Sequence, residues 1–208
     1  ANALLLLGRH EQAIGAGRRA RDLANERGDV PLRTATDLYV GRAHLFLGNF
    51  QEAIEIFQGV VGALAGARAR DHLGLPILPS VFARSHLVEC LVELGRFADS
   101  ARCADEAVAL AEAENHPDTL LWAYHGAGVH HLALGEVETA TAAFERAYGL
   151  CRAHDMPAYV PRVSAELALA LALGGRGAEA VAMVQRAAEE AGARKQVASY
   201  SQVLLLVG

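Results

Sequence analysis

The chain has little of what builds covalent or charged frameworks. It contains three cysteines, Cys90, Cys103 and Cys151. That odd number, without paired spacing, excludes a disulfide scaffold and is expected of reduced thiols in a cytoplasmic protein. Aromatic residues make up only 6%, so leucine and alanine must supply most of the core. Positive charge is in deficit: the formal net charge is −5, which argues against a phosphate-tracking surface and against nucleic acid as a partner. The apolar opening, Ala1–Leu7, has no basic leader and is too short to span a bilayer, so neither a signal peptide nor a membrane segment is expected. No stretch alternates like a strand, and there is no low-complexity linker.

What the sequence has instead is a repeat. Leu-Gly occurs at Leu7-Gly8, Leu47-Gly48, Leu94-Gly95 and Leu134-Gly135, with a looser copy at Leu173-Gly174-Gly175. Successive turns are 40, 47, 40 and 40 residues apart, a period that signals a stacked array. Five residues after each turn stands a small side chain: Ala13, Ala53, Ser100, Ala140 and Ala180. Gly17, Phe57, Ala104, Phe144 and Val184 follow four residues later. These spacings place both sets on one helical face, where small residues allow close helix approach and a large one fills the remaining space. Gly41 and Gly128 lie seven residues before their turns, inside a helix; a mid-helix glycine costs about 1 kcal/mol against alanine, so close packing must compensate.

The segments Asp37-x2-Val40-Gly41-x2-His44…Ala53-x3-Phe57 and Tyr124-x2-Ala127-Gly128-x2-His131…Ala140-x3-Phe144 resemble the tetratricopeptide (TPR) repeat at its Gly, Ala and Phe. The Trp and Tyr positions are substituted, and the step exceeds the usual ~34 residues, which suggests longer second helices. The resemblance implies an all-α fold: a right-handed α-α superhelix of about five tandem TPR-like helix pairs with a ~40-residue period. The array covers residues 1–208 as one domain, cut short at both ends, with an irregular insertion at about 68–79. The run Gly74–Arg84, followed by Leu91–Phe97, is similar to the TPR region of bacterial multidomain proteins that join a class III adenylate cyclase to an AAA/STAND-type ATPase.

Taken in order, the spacing predicts helices over His10–Arg27, Pro31–Leu47 and Phe50 to about Ala67. Gly74, Pro76 and Pro79 then interrupt the rhythm, although Arg68, Arg70 and Asp71 could extend the helix before them. Further helices are predicted over Ser80–Leu94, Phe97–Glu114, Pro117–Leu134, Val137–His154, Pro157 or Tyr159 to Leu173, Ala178–Ala191 and Lys195–Val207. Asn115-His116-Pro117 and His154-Asp155-Met156-Pro157 are two copies of one stop-and-restart signal. Leu4–Leu7 and Val203–Val207 are apolar on more than one face, and end-to-end self-association of the chain is expected from them.

No catalytic motif emerges. Gly126-x-Gly128 lies in a helix with no preceding strand, and Gly174-Gly175-Arg176-Gly177 lacks the lysine of a phosphate loop. His86 with Cys90 supplies two ligands where zinc needs about four, and His125, His130 and His131 lack a common face, so no metal or other cofactor is expected. His44 and His131, at the usual TPR tyrosine position, are expected to be packed and hydrogen-bonded.

In TPR proteins the groove is lined by the first helix of each pair. Carried onto this chain, the resemblance implies Leu38, Arg42 and Phe46, then Phe82, Ser85 and Glu89, then Trp122, His125 and Val129, and last Arg162, Ala165 and Leu169. An apolar floor with Trp122, His125, Arg42, Glu89 and Arg162 as handles suits a peptide or protein segment. A non-enzymatic interaction and regulatory module is therefore the leading expectation. The alternative is a domain that senses a small-molecule inducer in a STAND-type regulator.

Overall fold

The computed structural model describes residues 2–193, so the helix expected over Lys195–Val207 lies outside the described residues, as does the Val203–Val207 run. Ten α-helices, and no strand, occur among the described residues. They are α1 (Asn2–Leu6), α2 (His10–Arg27), α3 (Val30–Phe46), α4 (Phe50–Ala63), α5 (Pro79–Glu93), α6 (Phe97–Glu114), α7 (Pro117–Ala133), α8 (Val137–Ala153), α9 (Val160–Leu173) and α10 (Gly177–Ala193).

The turns form where glycine can relieve a steric conflict. Gly8, Gly48, Gly95, Gly135 and Gly175 all have φ between 68° and 78°, a region a Cβ makes costly. The next residue then bonds back across the turn: Arg9 N–H to the Leu4 carbonyl, Asn49 to His44, Arg96 to Leu91, Glu136 to His131 and Arg176 to Leu171, all at 2.8–2.9 Å. This is the Schellman closure of a helix end. The second type of junction uses Gly28 (φ 63°), Asn115 (φ 55°) and Asp155 (φ 48°) in the same left-handed region. At the first of these, Asp29 caps α3 by accepting from Leu32 N–H at 2.9 Å, with a proline in the first turn, where its missing N–H costs nothing.

Each helix packs on the next, and successive first helices also meet: α3 on α5, α5 on α7, α7 on α9. The expected face is buried. Ala13, Ala53, Ser100 and Ala140 have no exposed surface. Phe57 and Phe144, fully buried, lie against Gly41 and Gly128, where an added Cβ would come within 2.7 Å and 2.5 Å of the rings. Gly126 does for α5 and α7 what Gly41 does within a pair: its Cβ would stand 3.1 Å from Ser85 Cα, so these two helices approach closely. The resulting core is a ribbon, with one cluster running from Leu38 through Phe57, Leu87 and Trp122 to Val163.

The insertion departs from expectation. Helix α4 stops at Ala63 rather than near Ala67, because Gly66 turns left-handed (φ 62°) and Gly66–Arg70 tightens into a 3-10 turn. Arg68 and Asp71 pair across that turn at 3.3 Å instead of lengthening the helix. The loop that follows is tied down at several points. Ser80 Oγ donates to the Ala69 carbonyl, Leu78 N–H donates to Thr119 Oγ1 at 3.2 Å, and His72 bridges the Leu75 carbonyl and Glu114.

Candidate functional site

The first helices converge on one cleft of about 410 Å³. Helix α3 supplies Leu38, Tyr39, Arg42 and Phe46, α5 supplies Phe82, α7 supplies Leu121, Trp122 and His125, and α9 supplies Arg162 and Val163. Tyr159 closes it from the turn before α9, and Leu75, Pro76 and Ile77 of the insertion form a further wall. Close packing of α5 and α7 makes the floor. Trp122 is only 2% exposed, yet its ring lines the cleft. Phe82 packs edge-on against it at 4.9 Å and Tyr159 at 5.5 Å between centroids. This T-shaped geometry sets the positive ring edge of one against the negative face of another.

Two arginines enter this aromatic floor in different states. Arg162 is compensated: it pairs with Glu89 and, at 3.3 Å, with Glu166. Burial works against its charge, but the two carboxylates outweigh burial and raise its pKa. The same balance holds for Glu166, where burial raises the pKa but His125 and Arg162 bring it below the ordinary carboxylate range. His125 Nε2 stands 2.7 Å from Glu166 Oε2 and 3.2 Å from Arg162 Nε. The shorter approach, to a group that can only accept, places the proton on Nε2, leaving Arg162 Nε to donate to Glu166.

Arg42 is not compensated. Its guanidinium lies 5.5–5.9 Å from the ring centroids of Phe46, Phe82 and Trp122, within cation–π range. Among the described residues no carboxylate pairs with it, and its buried Nε has no hydrogen-bond partner. Burial first, and then the nearby charge of Arg162, pushes its pKa down to about 10, so it stays charged at neutral pH. Glu89 does offset Arg42, but that carboxylate is committed to Arg162. Beneath this layer lies His86, fully buried, with Nδ1 donating to the Phe82 carbonyl at 3.1 Å. Burial, followed by the charges of Arg42 and Arg162, holds its pKa well below the usual value, so the imidazole is neutral.

Of the twelve expected groove residues, the cleft brings together Leu38, Arg42, Phe46, Phe82, Trp122, His125 and Arg162. The others lie elsewhere. Ser85 is fully buried where α7 presses on α5, donating to the Trp122 carbonyl at 2.7 Å. Glu89 acts on the cleft only through Arg162. Ala165 is buried beside α9's neighbours. Val129 and Leu169 sit two turns beyond Trp122 and Arg162, and Val129 packs into the separate C-terminal cluster. Several lining residues were not anticipated: Tyr39, Tyr159, His10 and the insertion wall. The one sequence signal for that wall was the 47-residue step. His44 is packed and hydrogen-bonded as expected, to Asn49 at 3.5 Å; His131 is hydrogen-bonded, to Glu136 at 2.6 Å, but lies half-exposed at the helix end rather than packed.

No family model and no curated protein matches this sequence. Solved structures do match. The chain is similar to TTC0263, a TPR protein of Thermus thermophilus, at 20% identity and a TM-score of 0.66, covering 98% of this chain and 95% of that one. It is also similar to a point-substituted form of the nearly identical, kinesin-light-chain-type TPR-like repeats of Podosopora anserina, at 17% identity and a TM-score of 0.58, covering 94% and 92%. The fold is a TPR superhelix. Its first helices pack on one another in a single layer, and the cleft lies on that layer. The Gly41/Phe57 and Gly128/Phe144 contacts are the TPR Gly and Phe positions filled as the repeat requires.

Proposed function

We propose that this TPR array is a non-catalytic interaction module that seats a segment of a protein partner in this cleft. The observation that carries the reading is the convergence of four successive repeats and the insertion on one aromatic floor. Apolar walls with a few placed polar groups suit an anchor side chain, and buried aromatic and arginine positions concentrate binding energy. On the resemblance of Gly74–Arg84 and Leu91–Phe97, the module belongs to a bacterial multidomain signalling protein of the cyclase or STAND-ATPase kind. Binding would bias it between arrangements that the catalytic domains read. One observation favours a second reading, a small-molecule effector: the cleft volume of about 410 Å³ falls in the roughly 300–1,000 Å³ range of small-ligand sites.

The test is photo-cross-linking in the full-length protein from position 46, at the cleft, and from position 145, on the exposed outer side of α8. The captured segment is mapped and then titrated as a synthetic peptide. A segment captured from position 46 alone, and displaced by the peptide, supports the module. Equal capture from both positions refutes it.

A further inference from the structure

The cleft has donors without acceptors. Arg42 Nε, Arg162 Nη1 and Trp122 Nε1 are buried and lack hydrogen-bond partners, and all three residues line the cavity. The Trp122 N–H leans toward the Tyr159 hydroxyl without reaching hydrogen-bond geometry. His10, which also lines the cleft, has an unpartnered Nδ1. The unpartnered acceptors nearby, Glu89 Oε1 and His86 Nε2, belong to residues that do not line the cavity, and Glu166 Oε2 faces the His125 N–H at 2.7 Å. Glu89 and Glu166 are both engaged by Arg162. Buried polar groups without partners are rare in folded proteins, and a buried charge without a counter-charge is rarer. Here they share one cavity.

We infer that the cleft binds a carboxylate carried on a flat apolar body. The carboxylate receives the Arg42 and Trp122 donors. The body lies among Leu38, Phe46, Ile77 and Phe82. The assignment rests on the interaction reading for the place of binding and adds the chemistry of what binds. A monoanion suits the geometry: both carboxylates are hydrogen-bonded to Arg162, so the Arg42 guanidinium has no carboxylate partner of its own, although the two arginines and two carboxylates balance in number. A phosphate dianion would face Glu89 and Glu166 with no excess positive charge to hold it. The aromatic rings around the guanidinium and the buried Nε shield it in part from water, which strengthens a charge-assisted hydrogen bond.

Trp122 is the chain's single tryptophan, so its fluorescence reports on the cleft directly. The probes are 3-phenylpropionate, its neutral amide, and inorganic phosphate. The expected result is a saturable change with the acid only. Arg42→Gln should weaken it ~10–100-fold and Arg42→Lys less, with unfolding curves of both variants confirming that they fold. A second arm uses a blocked pentapeptide with phenylalanine beside aspartate, against its asparagine counterpart. Binding of the free acid alone identifies a small molecule as the source. Aspartate-dependent peptide binding tighter than the free acid identifies a partner side chain. Either result upholds the carboxylate. Equal binding of acid and amide, or of wild type and Arg42→Gln, overturns it, as does absence of acid binding in both arms. Should the acid bind while cross-links from position 46 match those from position 145, the interaction module fails and the carboxylate site stands.

Discussion

Replacing Gly128 with alanine sets two effects of known sign against each other. Alanine is better in a helix interior by about 1 kcal/mol, and α7 is helical throughout this region. The new methyl, however, would sit 2.5, 2.7 and 2.8 Å from three carbons of the Phe144 ring. All three distances are shorter than carbon atoms tolerate, and the ring is fully buried, packed among Ala140, Leu167 and Leu171. It cannot swing away without displacing them. Overpacking of this kind costs about 1–3 kcal/mol, and three simultaneous contacts put it at the upper end. The net expectation is a loss of about 1–2 kcal/mol, or a fall in Tm of roughly 2–4 °C per kcal/mol for a chain of this size. Gly149, in α8, and Gly59, in α4, have no atom within 4 Å of an added Cβ. Alanine there should return the propensity term alone and stabilise by about 1 kcal/mol each. Adding Phe144→Leu to Gly128→Ala should relieve the clash, so that the double variant loses less than the two single losses combined. Thermal and urea unfolding of these variants beside the wild type decide the matter. If Gly128→Ala stabilised the chain as Gly149→Ala does, the steric account of the repeat glycines would be refuted.

Three further outcomes follow from the same structure. Ala140→Leu, at a site with no exposed surface, should destabilise by about 1–3 kcal/mol, and an unchanged urea midpoint would contradict the helix-pair register. Glu89→Gln removes one of the two carboxylates holding Arg162 and should cost about 1–3 kcal/mol, measured by urea unfolding and checked against Arg42→Gln, which removes a charge that has no partner to lose. His86, whose folded pKa is depressed from 6.5, contributes stability that is complete above that pH. It is lost as pH falls below it, because only the unfolded chain takes up the proton. His10, His44 and His130 shift in the same direction. The unfolding midpoint should fall between about pH 7 and about pH 5, less steeply in His86→Leu, and equal slopes for wild type and variant would show that His86 plays no part.

Read alone, the sequence determined the repeat, the turns and the helix pairing, because each has a local cause. A left-handed residue at Gly48 or Gly135 is a conflict between one Cβ and its own backbone, visible wherever glycine ends an apolar helical run. Asn115 and Asp155 announced helix breaks in the same way. Close packing at Gly41 and Gly128, and the shared face of Ala53 with Phe57 and of Ala140 with Phe144, were legible from spacing along each helix; that each glycine meets the ring of the following helix was decided in space. Only the tertiary structure decided which first-helix residues meet. Ser85, Val129, Ala165 and Leu169 share the helical spacing of Leu38, Phe82 and Trp122 but are absent from the cleft. The close approach of α5 to α7 covers Ser85, and the cleft ends at His125 and Val163, short of Val129 and Leu169. Tyr159 and the Leu75–Ile77 wall come from turns, where no periodicity indicates direction. The unpaired state of Arg42 was the least accessible of all. It depends on Glu89, reachable in principle by either arginine, having been taken by Arg162 from a helix 73 residues away in sequence, and a competition of that kind is settled by distances in space.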